Sequence, residues 1–130
     1  VDVGTVRVGV AASDPAASFA FPVTTLAAGP HCAAEVAAIV AEREAVEVLV
    51  GLPLTMAGEQ GASADMARDF AERLRPLIAP VAIRFADERL TTVVGTRALA
   101  AAGRRGRAAR QLVDQAAAVA MLQSVLDGGR

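Results

Sequence analysis

The chain has 130 residues, a length that fits one domain able to bury a core without disulfide or metal staples. Its residues are 54% hydrophobic but only 3% aromatic, and its formal net charge is −1, which excludes a globally basic nucleic-acid coat. All 13 basic residues are Arg and none is Lys. That bias reads as the codon usage of a GC-rich genome or as a preference for bidentate phosphate binding. No apolar run reaches the ~18 residues that span a bilayer, and no signal-peptide pattern is present, so no membrane partner is expected. The chain opens at Val1 inside a strand-like run, so further residues are expected upstream. The single cysteine, Cys32, rules out an internal disulfide framework and suits a reducing cytoplasm.

In chain order, Val1–Val10 reads as a strand, a tight turn at Gly4-Thr5, and a second strand from Val6 to Ala12. Ser13-Asp14-Pro15 breaks it, and Phe19–Leu26 forms a third strand that Pro22 places at an edge. Pro30 starts a helix to about Glu44, with Val36, Ile39 and Val40 as its buried stripe. Cys32 stands at that helix start, where a thiolate is favoured; it is either a half-buried bystander or the link of a disulfide-joined homodimer. Val46–Leu52 is an almost unbroken apolar run, the mark of a central strand covered on both faces. A loop over Thr55–Gly61 follows, either a substrate flap or a connector. Ser63 then caps a helix to about Leu77, with Met66, Phe70 and Leu74 on one side.

Pro80–Phe85 is a further strand ending at Ala86-Asp87-Glu88-Arg89. A short helix from Thr91 or Thr92 to Ala102, a basic loop over Gly103–Arg107 and a last helix over Ala108–Leu126 complete the chain. The order β-β-β-α-β-α-β-α-α predicts an α/β fold: a five-stranded mixed sheet, three antiparallel strands then two parallel, with helices on both faces.

Three acids stand where they could meet. Asp2 lies on the first strand between Val1 and Val3, where a carboxylate is costly to bury unless it is paired or metal-bound. Glu88, with Asp87 before it, ends the last strand, and Asp114 sits in the apolar stretch Leu112–Leu122. Ala117 and Ala118, three and four residues on from Asp114, let that helix lie close against the sheet. Such carboxylates suit Mg²⁺ or Mn²⁺, and paired ions hydrolyse phosphodiesters without His or Cys. The structural alternatives stay open: Asp2 bonding the Gly4 turn, Asp114 pairing with Arg110 four residues earlier, and Glu88 as a helix-entry charge. Arg97, Arg104, Arg105, Arg107 and Arg110 form a stretch without acids, either a salt-sensitive phosphate-binding patch or a solvated face. Arg7, beside the Gly4-Thr5 turn, either aims a donor at a phosphate or serves the turn alone.

Four strings resemble the signatures of one family in its own order: Asp2-Val3-Gly4-Thr5-Val6-Arg7-Val8-Gly9-Val10-Ala11, Val50-Gly51-Leu52-Pro53-Leu54, Asp87-Glu88-Arg89-Leu90-Thr91-Thr92 and Val113-Asp114-Gln115-Ala116-Ala117. Together they cover nearly the whole chain, which is identified on them as a member of the YqgF/RuvX family of Holliday-junction-resolvase-like proteins. The resemblance implies a single ribonuclease-H-like domain over residues 1–130. It also implies divalent-metal-dependent nuclease chemistry in the cytoplasm, in 5′-end maturation of the pre-16S rRNA. Cleavage of branched DNA as a Holliday junction resolvase is the alternative. By position, Asp2, Glu88 and Asp114 match the family's catalytic, metal-holding acids, and Asp87 competes with Glu88. Thr55 departs from the Asn often found after Gly-Leu-Pro-Leu. The segment before Asp114, often Lys-rich in the family, is Arg-rich here. Two rival readings remain: the Asp2-x-Gly4-Thr5 turn also resembles the phosphate turn of actin-like and sugar-kinase ATPases, which need two such domains, and a fold relative can bind nucleic acid or a protein without cutting.

Overall fold

The computed structural model describes residues 1–53, 61–87 and 107–128, with side chains in the last segment from Val113 onward. Within these residues the strands are β1 (Asp2–Val3), β2 (Arg7–Ser13), β3 (Ala20–Ala27), β4 (Glu47–Leu52) and β5 (Ala82–Asp87). The helices are α1 (Cys32–Glu42), α2 (Ala62–Ile78) and α3 (Arg107–Asp127). The short helix expected before Ala102 and most of the loop expected over Thr55–Gly61 lie outside the described residues.

β1, β2 and β3 form an antiparallel meander, and β4 pairs with β5 in parallel. Val1 joins the two groups. Its nitrogen donates to the Leu49 carbonyl at 2.7 Å, and its own carbonyl accepts from the Gly51 N–H at 3.0 Å. That pair of bonds straddles Val50 in the manner of parallel strands. The strand order is therefore β3-β2-β1-β4-β5, a mixed five-stranded sheet as the sequence predicts. β3 is the edge, and Pro22 sits beside the bulge between Val10 and Ala11, where its missing N–H costs least. The first hairpin closes through the Gly4 N–H on the Arg7 carbonyl at 2.9 Å, and a Cβ on Gly4 would stand 2.6 Å from that oxygen. Val6 lies in this turn and is exposed, so β2 starts one residue later than predicted.

The two faces of the sheet are built differently. On one, Val8, Val10, Val48, Val50 and Leu52 pack under α1 and α2, which contribute Val36, Val40, Phe70 and Leu74. These helices are held by burial of an apolar stripe, since neither His31 nor Gly61 caps its helix through a side chain. Ser63 lies within α2, so its predicted capping role is not observed. Of the two readings of Cys32 the structure fits the bystander, buried rather than half-buried: it is only 2% exposed in this core. Burial pushes its thiol up, Glu35 adds to that, and Arg73 opposes it only in part. A buried neutral thiol is neither a reactive thiolate nor placed to bridge a second copy.

On the other face α3 crosses β2 and β3, with Ala86, Ala117 and Met121 as a small second cluster. Gln123 pins α3 to the approach of β3, accepting from the Ala20 N–H at 2.8 Å and donating to the Ser18 carbonyl at 3.0 Å. The loop before β3 is shaped by Asp14, whose carboxylate accepts from the N–H groups of Ser18 and Phe19 at 2.7 and 2.9 Å. Those bonds, Phe19 first, hold its carboxyl below the ordinary range.

Candidate functional site

Residues opposite one another in a sheet share a face. Asp2 is opposite Gly9, Gly9 is opposite Thr25, and Gly51 is opposite Ala86. The Val1–Val50 junction sets Asp2 level with Gly51. One row thus runs across all five strands: Thr25, Gly9, Asp2, Gly51, Ala86. A carboxylate stands at its centre with a glycine on either side, and the row faces α3, because Ala86 packs on that helix.

Gly9 is what lets α3 in. A Cβ there would run into the carbonyl group of Asp114, so the helix backbone rests on the bare strand. Ala117 and Ala118, both without exposed surface, continue that close approach one turn on. Asp114 is thereby brought over the strand adjoining β1, one strand spacing of ~4.8 Å from Asp2's own strand. Asp2 is 5% exposed, the buried charged residue of the described core. The side chain of Asp114 is 16% exposed.

The Asp114 carboxylate is paired with Arg7: Arg7 Nε donates to Oδ2 at 2.5 Å. The sequence offered Arg110, whose side chain lies outside the described residues, and did not single out Arg7 as a partner of Asp114. Arg7 and Gly9 are two apart on one strand and share a face, so the helix that crosses at Gly9 also meets Arg7. The next residue of α3, Gln115, donates to Thr25 Oγ1 at 3.0 Å, so the polar side of α3 is tied to the Asp2 row at its far end.

Asp87 stands elsewhere. It is level with Leu52 in a row that contains Val3, Val8 and Leu26, the row packed under α1 and α2. Asp87 and Asp2 therefore occupy opposite faces. Glu88, Arg97, Arg104 and Arg105 lie outside the described residues. Arg107 and Arg110 belong to the first turn of α3, seven and four residues before Asp114 in sequence, with side chains outside the described residues. Among the described residues no three His, Cys, Asp or Glu side chains cluster as a metal cage would; of the three acids read from the sequence, two are described, on the same face. Hard carboxylate oxygens, one of them buried and the other already holding a positive charge, fit Mg²⁺ or Mn²⁺. No helix among the described residues is long and apolar enough to cross a membrane.

Comparison with known proteins agrees with this geometry. The family model described as RuvX, Holliday junction resolvase, matches residues 1–128. A protein of Frankia casuarinae is 55% identical over the whole chain, which spans 66% of that relative. One from Nocardia farcinica is 53% identical over 98% of the chain, which spans 75% of it. One from Mycolicibacterium paratuberculosis is 53% identical over the whole chain, which spans 79% of it. All three carry the provisional name pre-16S rRNA nuclease. With the sheet order, the Asp2 row and the family match over residues 1–128 in agreement, the chain belongs to the RuvX family.

Proposed function

We propose that this chain is a divalent-metal-dependent nuclease that cuts phosphodiester bonds in structured RNA, acting in 5′-end maturation of pre-16S rRNA in the cytoplasm. The observation that carries the reading is the buried Asp2 at the centre of the α3 face, with Asp114 set over the adjoining strand by Gly9. Burying a carboxylate is costly, and a site that holds cations offsets that cost. The names of the relatives supply the substrate class.

In this reading Asp2, Asp114 and Glu88 hold Mg²⁺ or Mn²⁺ and are the catalytic residues. Asp87 is set aside because its row belongs to the opposite face. A divalent ion held there would supply water activation and charge stabilisation for the leaving oxygen. The rest falls to the chain's own residues. Gly9 admits the Asp114 backbone onto the strand beside Asp2, whose own side chain is buried. Arg107 and Arg110, in the first turn of α3, lead from Asp114 toward Arg97, Arg104 and Arg105 in sequence. This stretch neutralises substrate phosphates, so binding weakens as salt rises.

The family description keeps branched DNA as a second reading. Purified protein with Mn²⁺ is offered a pre-16S rRNA 5′-end fragment and a four-way DNA junction at equal concentrations. The proposal expects cleavage of the RNA and little of the junction. Preferential junction cleavage by a dimer would favour the resolvase reading, since two cuts need two sites. Salt-sensitive binding without cleavage of either would favour a non-catalytic module.

A further inference from the structure

Arg7 and Asp114 are 107 residues apart in sequence, and their bond is a tertiary contact across the site. Two features make it unusual as a structural ion pair. Gly9 fixes the Asp114 backbone against the sheet, so the carboxylate has little freedom to move. Arg7 engages it through Nε alone. Its Nη groups make no hydrogen bond in the described structure, and its side chain is 27% exposed. A bidentate guanidinium–carboxylate fork is the strong arrangement. This single-point contact is an exchangeable one, with the carboxylate as the fixed partner and the arginine as the movable one.

We infer that Arg7 is a built-in counter-ion: it holds Asp114 in the metal-free protein and is displaced from it when a divalent cation binds between Asp114 and Asp2. The inference rests on the metal-dependent reading above and goes beyond it. A divalent cation on Asp114 would stand within several ångströms of a guanidinium, and two like charges at that distance repel strongly at a partly buried site. Either the cation stays weakly bound or Arg7 leaves. Its place on the rim of the α3 face, in the turn-proximal end of β2, gives it solvent to leave into. Arg7 thus sets the metal concentration at which the site loads and protects Asp114 from standing as an uncompensated charge when empty.

The test is metal affinity. Mn²⁺ binding is measured by calorimetry on the wild type and on Arg7→Gln, Arg7→Lys and Asp114→Asn. Arg7→Gln is expected to bind Mn²⁺ roughly tenfold more tightly, from loss of one nearby positive charge. Arg7→Lys, which keeps the charge but not the Nε contact, is expected to fall between. If Asp114→Asn loses Mn²⁺ binding while both Arg7 variants match the wild type, the counter-ion role is overturned and the metal site stands. If Asp114→Asn binds Mn²⁺ like the wild type, the metal reading itself fails. A structural readout accompanies it: the ¹⁵N resonance of the Arg7 Nε–H, assigned by its absence in Arg7→Lys, is followed during Mg²⁺ titration. It is expected to shift as the ion pair opens; a resonance that stays in place while Mg²⁺ binds would overturn the inference.

Discussion

The two faces of the sheet divide the work of the molecule. Under α1 and α2 the strands present Val8, Val10, Val48, Val50 and Leu52, and the helices answer with Val36, Val40, Phe70 and Leu74. Under α3 the corresponding row is Thr25, Gly9, Asp2, Gly51 and Ala86, the smallest residues flanking a carboxylate. The first face buries large side chains, and area removed from water stabilises it at about 25 cal/mol per Å². The second gives up that area for proximity. A helix backbone lies on a glycine, and the charges of Asp2 and Asp114 are held close to the sheet. One face supplies the stability that lets the other carry polar groups.

This contrast can be broken from either side. Phe70, a large side chain only 2% exposed, is the strongest lever on the apolar face. Phe70→Ala is expected to cost about 3–5 kcal/mol in denaturant unfolding, while the fraction still folded keeps its cleavage activity per molecule. Gly9→Ala acts on the other face. Its Cβ must displace α3, and the expected cost is smaller, about 1–3 kcal/mol. Yet cleavage should fall far more than folding, because Asp114 moves away from Asp2. A Gly9→Ala protein that melts earlier but cuts at the wild-type rate would show that close helix contact serves packing alone.

The sequence carried the element order well because the apolar periods are strong. The continuous run before Leu52 became β4, between β1 and β5, and Pro22 marked the edge strand. Val46 was counted into that run but is exposed, since it precedes the point where pairing with β5 begins at Glu47. The small residues after Asp114 were readable as a close-packing signal, and Ala117 and Ala118 bear it out. Their counterpart Gly9 was not, because its role depends on which strand the last helix crosses. The Arg7–Asp114 pair was hidden for the same reason. A local rule looks four residues along the helix to Arg110, whereas Arg7 comes from the far end of the chain. Likewise, adjacent strand residues alternate in facing, but which of them meets the helix is fixed only by the register of the whole sheet. That register turned Asp87 away from Asp2.

The claim that the chemistry belongs to the α3 face is tested most directly by a pair of conservative substitutions, one on each face. Asp2→Asn and Asp87→Asn are compared in Mn²⁺-dependent cleavage of the pre-16S rRNA 5′-end fragment, with melting temperatures taken on the same samples. Asp2→Asn is expected to lose cleavage while remaining folded, and Asp87→Asn to keep it. Cleavage retained by Asp2→Asn, or lost in a folded Asp87→Asn, would contradict the assignment of the site to that face.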